Sequence, residues 1–85
     1  MTKKQIKTTK EINEFFVENK SGYSAFPTNE DEIGIEVTWG DWKHDHLYIK
    51  YIIKEKFGLQ YVGQEVIEED GSDTYSAIHY FKITK

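Results

Sequence analysis

Hydrophobic positions recur at helical spacing in the first part of the chain. An apolar stripe runs through residues 9–20 and predicts an amphipathic helix. Thr8, followed by Glu11, fits a capping box that would start this helix. Residues 1–7 are accordingly expected to form a flexible N-terminal tail.

The pattern of apolar and polar residues changes to a period of two after residue 31. Ile33, Ile35, Val37 and Trp39 then fall on one side of an extended segment, which predicts a β-strand. The stretch before it, residues 23–31, holds the only proline of the sequence. It is predicted to be a loop or a short edge strand.

Residues 42–57 fit both a strand and a helix, and their flanks decide between the two. Asp41 is a good helix N-cap, and Gly58 followed by an apolar residue resembles a helix end. Lys54 and Lys56 lie in the last turn, where the helix dipole favours cations. These signals predict a second helix.

The remainder predicts a β-hairpin whose strands span residues 59–68 and 74–83. A two-residue turn would oppose two acidic residues across the hairpin. A four-residue loop closed by Glu69 and Thr74 opposes apolar residues instead, and we prefer this register for that reason. The apolar pairs in this register are Val62 with Phe81 and Val66 with Ala77.

Together these elements predict an α+β domain in the order helix, strand, helix, β-hairpin. Both helices are expected on one face of a small, mostly antiparallel sheet. The sheet has three strands, or four if residues 23–31 add an edge strand. The whole chain, residues 1–85, is predicted to be a single domain because it is too short for two.

The composition limits the compartments and the partners that can be expected for this chain. The chain has no cysteine, which fits a reducing cytoplasm, and no apolar stretch of the length that spans a bilayer. All eleven basic residues are lysine, which lacks the guanidinium fork that reads bases and grips phosphate. We therefore expect no direct nucleic-acid binding, no membrane association and no cofactor. The expected state is a monomer or a small homo-oligomer.

The net charge of -4 is concentrated in two acidic loops, at residues 29–32 and 68–73. Such a surface repels a phosphate backbone and suits a basic protein partner. The candidate binding residues of the second loop are Glu68, Glu69, Asp70 and Asp73.

The segment WGDWKHDH, residues 39–46, gathers two histidines, two aspartates and both tryptophans. One hypothesis is a metal site formed by His44, His46 and His79, because imidazole is a common metal ligand. Helix geometry opposes it, since residues two apart point about 200° away from each other on a helix. A second hypothesis is acid–base catalysis by a histidine held by a neighbouring aspartate.

The interpretation that this segment favours is a strand-to-helix corner. Asp41 would cap the helix while the two tryptophans pack the corner. Tryptophan is also a frequent anchor of protein interfaces. The candidate binding residues of the corner are therefore Trp39, Asp41, Trp42, His44 and His46.

Residues 33–83 resemble a group of small phage proteins. The segment "WGDWKHDH" leads into an apolar helix, "KFG" follows it, and an acidic hairpin ends in "TYSAIHYFKI". In this combination the chain is similar to small uncharacterised proteins encoded by phages and prophages of low-GC Gram-positive bacteria. The resemblance implies a cytoplasmic accessory protein that binds a host or phage protein, and it carries over no site residues.

The sequence thus predicts a small non-enzymatic protein-binding module. It would act as an inhibitor or modulator that presents acidic loops and aromatic residues to a protein partner. The alternative is a small metal-dependent or acid–base enzyme that uses the histidines and aspartates of residues 41–46.

Overall fold

The computed structural model of the chain describes residues 2–29, 31–41, 44–69 and 74–83, without the side chain of Asp41. In these residues two helices and four strands form: α1 Lys3–Glu18, β1 Ser24–Pro27, β2 Glu32–Asp41, α2 His44–Phe57, β3 Gln60–Glu69 and β4 Thr74–Lys82. The predicted α+β class and the predicted order of the elements are confirmed. The segment around the proline takes the edge-strand alternative.

Helix α1 starts inside the segment expected to be a flexible tail, and the predicted start at Thr9 is wrong. Thr2 is the N-cap, and its side chain and that of Gln5 each accept a hydrogen bond from the other's backbone N–H. The buried Gln5 amide also donates to the carbonyl of Glu32 at 2.7 Å. Residues 3–7 are helical because this reciprocal cap is tied to the start of β2.

Strand β2 follows the predicted alternation up to Val37 and departs from it at Trp39. Ile33, Ile35 and Val37 are buried on one face of the sheet. An extra residue between Val37 and Gly40 then forms a β-bulge, in which Trp39 adopts a left-handed backbone conformation with φ 52°. Its side chain is 47 % exposed. The prediction that Trp39 shares the buried side of the strand is therefore wrong.

Helix α2 confirms the helical prediction for residues 44–57. Ile49 and Ile53 are buried against the sheet. Gly58 has φ 67°, and its N–H donates to the carbonyl of Lys54 at 3.0 Å, which closes the helix in the way that glycine permits. The predicted N-cap, the Asp41 side chain, lies outside the described residues.

Strands β3 and β4 form the predicted hairpin in a register that is only partly the predicted one. The expected pairing of Val66 with Ala77 is present, and that of Val62 with Phe81 is wrong. Val62 and Ile67 are the extra residues of two β-bulges in β3. Each bulge shifts the pairing by one residue, so residues beyond it meet partners that simple alternation does not predict.

All four described strands join one antiparallel sheet in the order β1-β2-β4-β3. Both helices pack on one face, the inner face, where Phe15 and Phe57 join them edge to face at 5.9 Å between ring centroids. The core on this face comprises Ile12, Phe16, Ala25, Ile33, Ile35, Val37, Ile49, Ile53, Leu59, Tyr75, Ala77 and Phe81. Each large apolar side chain buried there contributes about 2 kcal/mol to stability.

Candidate functional site on the open face of the sheet

The open face is the side of the sheet opposite the two described helices. Strand pairing assigns to it every second residue of β2 and β4 and their partners on the edge strands. Among the residues whose side chains are described, its charged and large apolar members are Phe26, Glu32, Glu36, Glu65, Glu68, Ile78, Tyr80 and Lys82. This set contains four carboxylates and a single amine.

Ile78 lies at the centre of the open face. The register places it between Glu36 of β2 and Glu65 of β3, so a carboxylate flanks it on each neighbouring strand. Both glutamates are exposed, and Ile78 is half-buried. Directly opposed residues on adjacent strands have Cβ atoms about 5 Å apart. The middle of this surface is therefore an apolar side chain between two acidic ones.

Tyr80 lies two residues farther along β4 and is flanked by glycines. Gly34 of β2 and Gly63 of β3 are its partners on the two neighbouring strands. A Cβ atom at Gly34 would lie 2.9 Å from the Phe26 ring and 3.0 Å from Ile78 Cγ2. The side chains of Phe26 and Ile78 therefore cover Gly34. Together with Tyr80 they form an apolar strip on the open face.

Hydrogen bonds orient two of the open-face carboxylates. The Tyr80 hydroxyl donates to Glu65 Oε1 at 2.8 Å, and this bond, together with burial, raises the pKa of Tyr80. At the start of β2, beside Lys82, the Thr28 hydroxyl donates to Glu32 Oε1 at 2.8 Å. Acidic groups held beside an apolar strip produce a negative field that attracts cationic groups and repels phosphate.

The described residues of the segment WGDWKHDH lie at the end of β2 and in the first turn of α2. The backbone N–H of Trp39 donates to the hydroxyl oxygen of Ser76 at 2.9 Å, which fixes the bulge. A pocket of about 340 Å³ beside Trp39 is lined in part by Tyr23 and Asp45. The Tyr23 hydroxyl donates to the Asp45 carboxylate, and burial, followed by this bond, raises the pKa of Tyr23. Asp45 thus links the turn after α1 to the first turn of α2.

Two of the three histidines meet in the core. The ring centroids of His46 and His79 are 5.1 Å apart, and His79 is fully buried. The Tyr75 hydroxyl lies 2.8 Å from His79 Nε2. Burial, and then the nearby His46 and Lys50, lower the pKa of His79 to about 4. His44, by contrast, is exposed at the start of α2.

The predicted metal set is brought together only in part. His46 approaches His79, and His44 remains at the surface. Within the described residues, no three His, Cys, Asp or Glu side chains are grouped so that they could hold a metal ion. Burial and then Lys50 lower the pKa of His46 as well. Burial thus favours the uncharged form of both imidazoles.

The two predicted acidic residues that the structure describes on β3 lie on different faces of the sheet. Glu68 lies on the open face opposite Ser76, whereas Glu69 lies on the inner face opposite Tyr75. Both are exposed on β3. The predicted candidates Trp42, Asp70 and Asp73 lie outside the described residues, as does the side chain of Asp41.

Most of the open-face residues are not among the candidate residues predicted from the sequence. The predicted strand placed Ala77 and Phe81 on one side, and the alternation of a strand then assigns Ile78 and Tyr80 to the other. That signal was present in the sequence. The flanking residues on β2 and β3 depend on the order of the strands and on the bulges, which the pattern does not encode.

No helix in the described ranges is long and apolar enough to cross a membrane. No protein family, curated protein or solved structure matches the chain. The resemblance to phage and prophage proteins accordingly stays a prediction.

Proposed function

We propose that the chain is a non-enzymatic protein-binding module whose open face binds a basic surface of another protein. The observation that carries this proposal is the row Glu36, Ile78, Glu65, in which an apolar side chain lies between two exposed carboxylates. A lysine or arginine of a partner that lies along this row gains both an ionic contact and an apolar one for its methylene groups.

The composition of the face supports a protein partner. Apolar and aromatic side chains at the centre, with charged ones around them, are the usual anatomy of a protein interface. The strip of Phe26, Ile78 and Tyr80 supplies the centre, and the surrounding carboxylates supply the charged rim. Complementary charges at a rim raise the association rate and select the partner.

The sign of the charge supports a basic partner. The open face carries four glutamates and one lysine among the residues whose side chains the structure describes, and these five have a net charge of -3. Such a field repels nucleic acid and competes with phosphate for basic protein surfaces. An inhibitor or modulator of a basic protein is one form of this function. The absence of cysteine from the sequence fits a reducing cytoplasm as its setting.

A selection from a random peptide library displayed on phage tests this function without a known partner. The expected result is enrichment of peptides rich in lysine or arginine that also contain apolar residues. The double variant Glu36→Gln/Glu65→Gln should weaken their binding about tenfold, because two lost ionic contacts of about 0.7 kcal/mol each sum to one factor of ten.

The matched control is Glu11→Gln/Glu14→Gln on α1, where both glutamates are exposed. It changes the net charge by the same amount at a different surface, so binding of the selected peptides should persist. Enriched peptides that are no more basic than the starting library would contradict the proposal. Equal losses in the two double variants would contradict it as well.

A further inference from the structure

The two edge strands of the sheet differ in whether they can pair with a further strand. Strand β1 has only four residues and ends at Pro27, which has no N–H to offer a neighbouring strand. The Asn13 side chain of α1 donates to the carbonyl of Ala25 at 2.9 Å and accepts from its N–H at 2.8 Å. The pairing groups of Ala25 are therefore already used. This edge is closed to a further strand.

Strand β3, at the other edge, is ten residues long and is exposed at every position from Gln64 to Glu69. No strand in the described part of the chain pairs with its outer side. The β-bulges at Val62 and Ile67 interrupt its pairing with β4, but the residues between them, Gly63 to Val66, pair regularly. A long exposed edge of this kind is a template for another strand.

Exposed apolar side chains concentrate along the same edge. Val62, Val66 and Ile67 of β3 are exposed, with Ile67 at 53 %, and so are Leu47 and Tyr51 of α2. Leu47 and Tyr51 line a groove of about 650 Å³ between α2 and the start of β3. Five of the nine large apolar side chains exposed in the described residues therefore lie on one side of the molecule.

Acidic and basic side chains both lie at this edge, so the edges of two copies can bring opposite charges together. Strand β3 carries three glutamates and no basic residue. The groove beside it is lined by Lys50 and Lys54 of α2. Glu69 lies on the helix side of β3, and a second copy in reversed orientation would bring it toward the lysines of the other groove, so the chain itself is a partner of the required charge.

The regularly paired stretch of β3, Gly63 to Val66, is centred on Gln64 and Glu65, and the side-chain pattern distinguishes the registers centred on these two residues. In an antiparallel pair, opposed residues share a face of the sheet, so a twofold axis passes beside a single residue. An axis at Glu65 would oppose two carboxylates. An axis at Gln64 opposes Gln64 to itself and Glu65 to Gly63, and it brings Val66 level with Val62. The second register avoids opposed charges and joins apolar residues.

We infer that the chain forms a twofold-symmetric dimer in which the β3 strands of two copies pair antiparallel around Gln64. The sheet then continues from one copy into the other. The helices of both copies lie on the same face, with Leu47 and Tyr51 beside the seam. The two open faces also lie on one side and present their carboxylates together. This dimer does not depend on the proposed function, since a monomer with the same open face could bind a basic partner.

Analytical ultracentrifugation of the full chain from about 1 µM to about 1 mM tests the dimer. We expect a species of twice the 10.0 kDa chain mass at the higher concentrations. Val66→Lys should shift the protein to the monomer, because it places two cations at the seam. Val17→Lys is the control, since Val17 is 76 % exposed on α1, and it should leave the dimer intact. A wild-type monomer over the whole range, or equal effects of the two variants, would overturn the inference.

Cysteine cross-linking tests the register even if a charged variant folds poorly. The chain has no cysteine, so a single introduced thiol reports only on its own position. Mild oxidation of Gln64→Cys should give a covalent dimer, because Gln64 lies opposite itself across the axis. Lys10→Cys on the exposed side of α1 should give no covalent dimer under the same conditions. Failure of Gln64→Cys to cross-link at concentrations where the wild type is dimeric would overturn this arrangement.

Discussion

Trp39 has a left-handed backbone conformation, which is unfavourable for a residue with a bulky side chain. Its φ of 52° lies in the left-handed region, which costs a residue with a Cβ about 1 kcal/mol or more. The β-bulge and the hydrogen bond to Ser76 hold it there. A bulky, half-exposed aromatic residue in such a conformation is stabilised by its surroundings and not by its own preference.

Replacing Trp39 by glycine and by alanine should reveal this strain. Both variants lose the indole, but only glycine relieves the left-handed conformation. We expect Trp39→Gly to have a free energy of unfolding about 1 kcal/mol higher than Trp39→Ala, measured by urea denaturation. In an ordinary strand position the order is the opposite, so a more stable alanine variant would contradict the left-handed assignment.

His79 is the residue whose ionisation should most affect stability. It is buried between His46 and Lys50 of α2, Tyr61 of β3 and Tyr75 of its own strand. Burial, and then the nearby His46 and Lys50, lower its pKa from 6.5 to about 4. Between these two pH values the unfolded chain binds the proton more readily than the folded chain does. The stability present above pH 6.5 is therefore lost as the pH falls toward 4.

A pH series of denaturation curves tests this linkage. The free energy of unfolding should fall by about 2 kcal/mol between pH 7 and pH 4 through His79 alone, a value below the full shift because a core relaxes on protonation. The variant His79→Gln should lose that part of the dependence. His44→Gln, at an exposed position on α2, should retain it. Identical pH profiles for the wild type and His79→Gln would show that His79 does not titrate in this range.

At the scale of elements, one side chain joins α1 to the edge of the sheet. Asn13 forms hydrogen bonds with both backbone groups of Ala25, a buried residue of β1. In its absence two buried polar groups would lose their partners, and each such loss costs about 1 kcal/mol or more. The short strand β1 depends on the helix for this reason.

Removal of this link should destabilise the fold measurably. We expect Asn13→Ala to lower the free energy of unfolding by about 2 kcal/mol. Asn19→Ala is the matched control, because the Asn19 amide donates to the carbonyl of Phe15 at the exposed end of α1. Its effect should stay within about 0.5 kcal/mol. Hydrogen exchange at Ala25 should also accelerate in the first variant, and an unchanged rate would argue against the link.

Periodicity and end signals were sufficient to predict the elements themselves. The two helices, β2 and the hairpin follow from spacing, from the lysines before Gly58 and from that glycine itself. The start of α1 also has a local signal, because Thr2 and Gln5 have capping-box spacing. Thr8 and Glu11 have the same spacing, and only the contact of Gln5 with Glu32, far along the chain, favours the first pair. The bulges at Val62 and Ile67 likewise depend on the partner strand, so the sequence of β3 alone did not reveal them.

For the whole molecule, the two faces of the sheet differ in burial and in charge. The inner face carries the core and the histidine pair, and the open face carries the glutamates around Ile78 and Tyr80. The molecule is thin, with a smallest extent of 17 Å. It has one layer of helices on one sheet, so the inner face is covered and the open face remains exposed. The sequence predicted an acidic and aromatic binding surface, but it placed that surface in the turns. Strand register moves the strongest candidate to the middle of the sheet.

The most direct test of the proposed function is NMR of the ¹⁵N-labelled chain titrated with a short peptide of alternating lysine and valine. The open-face hypothesis predicts that the largest amide shift changes occur at Glu36, Glu65, Ile78 and Tyr80 and weaken with added salt. A matched peptide of alternating glutamate and valine should leave these amides unchanged. Largest changes on α1 or α2, or equal responses to both peptides, would contradict a basic partner on this face.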